Sequence, residues 1–339
     1  MQTTTYPPVP ADHVAVLATG SYLPEKILSN AELEVLVETS DEWITTRTGI
    51  KERRIAAADE TTSDMAAKAA QKALDQAGLQ ASELDAILVA TVSPDMFFPS
   101  TACFVQKKIG AFQAFCMDVS AACSGFLYAL EMSRNMVSAG SAAKVLVIGA
   151  EKLSALVDWT DRNTCVLFGD GAGAVILGEN GGRPGMITTV LGSDGRFSEI
   201  LNLPGGGVHC PITAENVGDR LNTIKMNGKE TFKQAVTAMQ AAAVQVLAKR
   251  GWSSDDLTLV IPHQANIRIV EAIAERMKLS MDRVFVNLQR YGNTSAASVA
   301  IALDEAARTG CLKAGDKLLL VAFGGGLTWA SCTLQWSLD

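Results

Sequence analysis

The sequence predicts a layered α/β fold built from a doubled unit, and three observations carry that expectation. Apolar runs with the character of buried strands alternate with Ala-rich amphipathic stretches of helical spacing. A phrase of helix, glycine and strand returns at a fixed interval of 173 residues. The 339 residues are 48% hydrophobic and 19% charged, with 28 Gly against 10 Pro, which excludes disorder and suffices for two domain-sized cores.

The first phrase opens after Ser63-Asp64. Its periodic stretch 65–77 stops at Gly78, a helix C-cap, and Ala81-Ser82-Glu83-Leu84 leads into a strand over 86–90. Strand 114–119 then passes through small residues into an apolar helix ending near Gly140. The run Gly169-Asp170-Gly171-Ala172-Gly173 lies between apparent strands instead of opening a helix, so it reads as hairpin packing and not as a phosphate loop. In the second phrase the helix 231–250 stops at Gly251, and Ser253-Ser254-Asp255-Asp256-Leu257 leads into strand 258–261. Gly78 and Gly251, Leu84 and Leu257, and strands 144–148 and 317–321 all share the offset of 173. The expected halves are 12–184 and 185–339, packed with corresponding elements facing one another.

Charge and composition narrow the function. With 36 acidic against 29 basic residues, a net −7, the chain lacks the basic excess of a general nucleic-acid binder. No run approaches the roughly 18 apolar residues of a membrane span, and the first ten residues hold no signal-peptide core. A cytoplasmic protein is expected. The seven cysteines are scattered without a C-x-x-C pair, so neither a disulfide framework nor a structural zinc site is expected.

Ligands in open α/β layers collect at strand carboxyl ends and at the helix starts that follow. Four segments stand at such places. In Asp118-Val119-Ser120-Ala121-Ala122-Cys123-Ser124-Gly125-Phe126, Cys123 falls at a helix start. There it either fills the core or presents a thiolate favoured by backbone N–H groups and the helix dipole. His263, in Ile261-Pro262-His263-Gln264-Ala265-Asn266, is the one histidine of three at a strand-to-helix junction. In Tyr291-Gly292-Asn293-Thr294-Ser295-Ala296-Ala297-Ser298, the offset sets Ala296 opposite Cys123 and Asn293 opposite Ser120, while Asn293-Thr294-Ser295 by itself reads as a helix N-cap. The last, Ala322-Phe323-Gly324-Gly325-Gly326-Leu327, either lets backbone N–H groups approach a ligand or makes a tight turn.

Taken with Asp41-Glu42-Trp43-Ile44 and Thr46-Arg47-Thr48-Gly49-Ile50, these segments in this order resemble β-ketoacyl-acyl-carrier-protein synthase III, the initiating condensing enzyme of fatty acid synthesis. The resemblance spans nearly the whole chain beyond its first ten or so residues. It implies the thiolase fold, with duplicated βαβαβαββ halves forming a five-layered α-β-α-β-α core. It also implies a catalytic triad of Cys123, His263 and Asn293. Cys123 would be acylated by a short acyl-coenzyme A, with acetyl-coenzyme A the expected primer, before malonyl on acyl carrier protein loses carbon dioxide and attacks the acyl group. Backbone N–H groups of Cys123 and Gly325 would form the oxyanion hole.

The same resemblance assigns coenzyme A binding to Trp43, Arg47, Arg162, Gly228, Phe232, Ala265 and Asn266. It assigns the acyl pocket to Leu153, Phe168, Met226 and Phe98, the last reaching across a homodimer. It assigns carrier-protein docking to Lys233 and Arg268, although Glu275-Arg276 stand where well-known members carry a lysine pair. No metal or redox cofactor is implied, since acyl-coenzyme A is a substrate. Two other readings stay open: a condensing enzyme or acyltransferase of secondary metabolism with another primer, and a thiol hydrolase, which would release free acid.

Overall fold

The computed structural model describes residues 6–181, 185 and 187–339. The expected boundary between halves at 184/185 falls where 182–184 and 186 lie outside the described residues. Among the described residues, nine strands make two principal sheets. They are β1 (Val14–Tyr22), β2 (Ala86–Ala90), β3 (Phe115–Val119), β4 (Lys144–Glu151), β5 (Gly171–Glu179), β6 (Thr188–Ser193), β7 (Leu259–Pro262), β8 (Lys317–Gly324) and β9 (Thr328–Gln335). The helices that matter for the site are α1 (Asp41–Thr48), α2 (Thr62–Ala77), α3 (Gly125–Ser138), α4 (Gly228–Arg250), α5 (Ile267–Arg276) and α6 (Ala297–Arg308).

The first sheet runs β1-β5-β4-β2-β3 and the second β6-β9-β8-β7. Each has two antiparallel pairs followed by a parallel one, in the same order. The second sheet keeps only a vestige of a fifth strand, the parallel bridge between Val260 and Val284. β4 and β8 begin and end at the same offset of 173, as do the single turns Ala81–Glu83 and Ser254–Asp256. Gly78 and Gly251 both adopt the left-handed conformation at their helix ends, at φ 65° and 74°.

Local chemistry sets the boundaries. α2 starts one residue before Ser63 because Thr61 caps it, in a reciprocal box with Asp64. α4 starts three residues before Thr231, since the Asn227 side chain accepts the Glu230 N–H. Helices α3 and α6 lie side by side between the two sheets, α2 covers the outer face of the first and α4 the outer face of the second. This gives five layers. Strands β2 and β4 are apolar and buried almost throughout because helices cover both faces of their sheet.

The glycine run near 171 has a different cause from a tight hairpin. Gly171 and Gly173 lie within β5, under the central helix α6. A Cβ on Gly173 would stand 2.5 Å from the Ile301 nitrogen, and one on Gly149 in β4 would stand 2.3 Å from the Ala296 oxygen. Both glycines let the helix backbone settle directly on the sheet. Gly173→Ala is therefore expected to destabilise the fold by about 1–3 kcal/mol through overpacking, read as a lower urea midpoint with an unchanged slope.

Candidate active site

Three strand ends converge. β3 delivers the chain to the turn Ala122–Ser124, β7 ends one residue before His263, and β8 ends at Gly324. The turn is sharp because Ala122 takes φ 46°, a left-handed conformation unusual for a residue with a side chain. Ser295, 173 residues later, has φ 47°, so both halves bend identically before their central helix. Gly324 serves this turn and not a ligand, since a Cβ there would stand 2.5 Å from the Cys123 nitrogen. Gly325 and Gly326 line the cavity instead.

One cavity of about 1050 Å³ is lined by Cys123, His263 and Asn293 together. Asn293 is not a helix cap. Its Oδ1 accepts the Ser295 N–H at 2.9 Å, and its backbone bridges the segment before β5, with the Asn293 N–H on the Leu167 carbonyl and the Gly169 N–H on the Asn293 carbonyl. The Asn293 amide nitrogen is thereby left for the cavity. The His263 Nδ1 lies 2.6 Å from the Ser298 hydroxyl, which also accepts the Gln264 N–H at 3.4 Å. When that hydroxyl donates to Nδ1, the imidazole proton sits on Nε2. Burial holds His263 well below its ordinary 6.5, at about 4, so the ring is neutral near pH 7.

The sequence left Cys123 open between core cysteine and thiolate. Burial pushes its thiol up to about 12, and the neighbouring Glu151 adds to the rise. The helix start places N–H groups nearby, and removal of the sulfur from water works against them.

The other expected residues divide into three groups. Trp43, Arg47, Gly228, Phe232, Ala265, Asn266, Leu153, Phe168, Met226, Gly325 and Arg268 all line the same cavity. Arg162 does not, yet its guanidinium lies 5.1 Å from the Trp43 ring centre, and that of Arg47 lies 4.9 Å from it. Asn266 spends its side chain locally: Oδ1 caps α5 through the Arg268 N–H, and Nδ2 donates to the Arg47 carbonyl. Lys233 is exposed on α4 outside the cavity. Phe98 is 85% exposed and stands apart from the cavity of its own chain.

Sequence reasoning missed four residues. Ser298 and Ser295 sit among the small residues after Asn293 and carry no spacing signal of their own. Glu151 ends an apolar strand, and its burial is the anomaly that marks it. Arg53 is fully buried and donates to the Leu28 carbonyl, the Asn30 Oδ1 and the Val166 carbonyl. It so braces the wall segment that holds the Asn293 backbone.

Comparison with known proteins places the chain in a family. Residues 117–195 match the family model described as 3-oxoacyl-[acyl-carrier-protein] synthase III, and 247–336 match its C-terminal model. A β-ketoacyl-[acyl-carrier-protein] synthase III of Caldanaerobacter subterraneus is 55% identical over 95% of this chain and 97% of its own. The crystal structure of 3-oxoacyl-[acyl-carrier-protein] synthase III from Aquifex aeolicus VF5 superposes with a TM-score of 0.88 at 49% identity, covering 95% of this chain and all of that one. The priming β-ketosynthase of the R1128 polyketide pathway superposes with a TM-score of 0.89 at 36% identity, over 96% of both chains. At 55% and 49% identity to two β-ketoacyl-acyl-carrier-protein synthases III along nearly its full length, the chain belongs to that family.

Proposed function

We propose that the protein joins a short acyl group, taken from acyl-coenzyme A, to malonyl on acyl carrier protein, releasing carbon dioxide and giving a 3-oxoacyl-acyl carrier protein. The observation that carries this reading is the common cavity of Cys123, His263 and Asn293, open toward Trp43 and Arg47 at its mouth. Cys123 attacks the thioester and holds the acyl group, which splits one difficult condensation into two easier steps. The Nε2–H of His263 and the amide of Asn293 donate to the malonyl thioester oxygen, so the enolate formed on loss of carbon dioxide is stabilised where its charge develops. The Cys123 and Gly325 N–H groups do the same for the tetrahedral oxyanion. Every step uses groups already named, and acyl-coenzyme A is consumed as a substrate, so the scheme requires no cofactor.

Trp43 and its two arginines are the proposed adenine and phosphate site. At 5.1 Å the Trp43–Arg162 spacing is too small for a base, because two stacked layers need about 7 Å. Arg162, whose one hydrogen bond among the described residues is to the Glu38 carbonyl, would swing outward by about 2 Å to admit the base. Trp43→Ala is expected to raise the KM for acyl-coenzyme A by roughly tenfold, with kcat little changed, as befits loss of a stacking contact. Steady-state kinetics with varied acyl-coenzyme A checks this.

Lys233 and Arg268 supply positive charge beside the mouth, suited to an acidic carrier through a local field. A homodimer is supported by β3, whose outer edge has no strand partner among the described residues, and by exposed Phe97, Phe98, Phe112 and Phe115. In that arrangement Phe98 serves the partner's acyl pocket. The equal strand orders support two duplicated halves, 12–184 and 185–339. Among the described residues no helix is long and apolar enough to cross a membrane, and dependence on coenzyme A thioesters fits the cytoplasm.

Intact-mass measurement tests the whole reading. After incubation with acetyl-, branched or longer acyl-coenzyme A, Cys123 should gain the acyl mass, and malonyl-acyl carrier protein should then discharge it into a 3-oxo product. Free acid without a new carbon–carbon bond would make the protein a hydrolase. Acylation only by an unusual primer would move it to secondary metabolism.

A further inference from the structure

Behind the wall that holds Asn293 lies a buried cation that the scheme above leaves without a task. Arg53 is fully buried. Its Nη1 donates to the Leu28 carbonyl at 3.1 Å and to the Asn30 Oδ1 at 2.9 Å, and its Nη2 donates to the Val166 carbonyl at 2.8 Å. All three acceptors are neutral, and its Nε–H has no acceptor among the described residues. A charge buried against neutral groups is costly, so an apolar stem of the same length would fill this place better if packing were the only demand. The planar fork serves geometry instead.

The geometry in question is the seam between 166–169 and 292–293. Val166, Leu167, Phe168 and Asn293 all line the cavity. Their two segments meet in a single parallel bridge, closed by the Asn293 N–H on the Leu167 carbonyl at 2.8 Å and the Gly169 N–H on the Asn293 carbonyl at 3.0 Å. A glycine stands on each side of it. A Cβ on Gly169 would lie 3.1 Å from the Arg53 Cβ, and one on Gly292 would lie 3.2 Å from the same atom. The Arg53 stem therefore rests on both segments of the seam, while its guanidinium holds Val166 at the start of one of them. Its footing on the other side is firm without it. Asn30, 1% exposed, donates through Nδ2 to the Asp41 carboxylate and the Ile50 carbonyl, at 2.8 Å each.

We propose that Arg53 is a positioning residue that aims the Asn293 amide at the malonyl thioester oxygen. The proposal rests on the reading of Asn293 as a donor to the developing enolate. The Asn293 Oδ1 is taken by the Ser295 N–H, so the direction of Nδ2 follows from where the Asn293 backbone sits. That backbone sits where the seam holds it. Arg53 itself touches no substrate. Its loss should fall on decarboxylation, in which Asn293 acts, and spare the acylation of Cys123, which draws on the N–H groups of Cys123 and Gly325.

Separate measurement of the two half-reactions tests this. Arg53→Met keeps a stem and removes the fork. Release of carbon dioxide from malonyl-acyl carrier protein is expected to fall roughly 10²-fold, the effect of a misplacement of about 1 Å. Acylation of Cys123 by acyl-coenzyme A, read by intact mass, should stay near the wild-type rate. Arg53→Lys keeps the charge without the planar fork and should lose less. In an Asn293→Ala background, Arg53→Met should cost nothing further, because it acts through that residue. Hydrogen exchange in peptides spanning 166–169 and 291–294 should quicken in both Arg53 variants. Equal loss in acylation and decarboxylation, or a loss that multiplies with that of Asn293→Ala, would make Arg53 a packing residue and overturn the proposal. So would wild-type release of carbon dioxide in Arg53→Met, or unchanged exchange at the seam. Arg53→Lys decides the matter by the same readouts if Arg53→Met does not fold. Wild-type release of carbon dioxide by Asn293→Ala would defeat the reading of Asn293 as the enolate donor, whereas quickened exchange would leave Arg53 standing as the residue that holds its backbone.

Discussion

Cys123→Ala is expected to abolish acyl-enzyme formation and to lower condensation on the order of 10⁶-fold, the scale seen when an enzyme loses its nucleophile. No second sulfur can take over. Among the cysteines of the chain, Cys123 is the one that lines the cavity. The backbone should survive the change, because the bend belongs to Ala122 and the close fit to Gly324, and neither needs the sulfur. Intact mass after incubation with acyl-coenzyme A, together with an unchanged urea midpoint, separates lost chemistry from lost folding. Continued condensation by this variant would refute the assignment of the nucleophile.

His263→Ala should divide the reaction in two. Acylation of Cys123 is expected to continue, because the thiol, its bend and the oxyanion N–H groups are untouched. Decarboxylation of the malonyl thioester should fall about 10²- to 10³-fold, the usual effect of removing one donor from a developing oxyanion. Release of carbon dioxide from malonyl-acyl carrier protein is the measurement. Equal loss in both half-reactions would contradict the role assigned to the ring.

The same histidine links stability to pH. Its folded value of about 4 lies below the ordinary 6.5. As pH falls, the unfolded chain therefore takes up the proton first. The stability that comes from keeping the ring neutral is complete above about 6.5 and is lost progressively as pH drops toward 4.

Much of this was legible in the residues themselves. The offset of 173 exposed the doubling because glycine caps and strand starts are imposed locally, by backbone conformation and burial, and so survive wherever the unit is repeated. Strand ends and helix starts marked Cys123 and His263 as candidates from pattern, whereas their grouping with Asn293 came from the family resemblance, because the pattern around Asn293 reads equally as a helix cap. Other features were not legible. How far the Cys123 thiol is pushed up depends on how completely the sulfur is removed from water, which is a property of packing between halves. Ser298 meets His263 across 35 residues, and Glu151 meets the loop that follows β2, and nothing in their immediate neighbours announces those contacts. Gly173 looked like turn chemistry because a glycine needed for a helix resting on a sheet reads the same as one needed for a bend.

The paired left-handed residues Ala122 and Ser295 set one geometry at two places. Each half enters its central helix through the same kink, so the two differ there in side chain and not in backbone. One kink is followed by the Cys123 sulfur, while the other carries a hydroxyl on the wall of the same cavity. The present asymmetry is a division of labour between two copies of one bend.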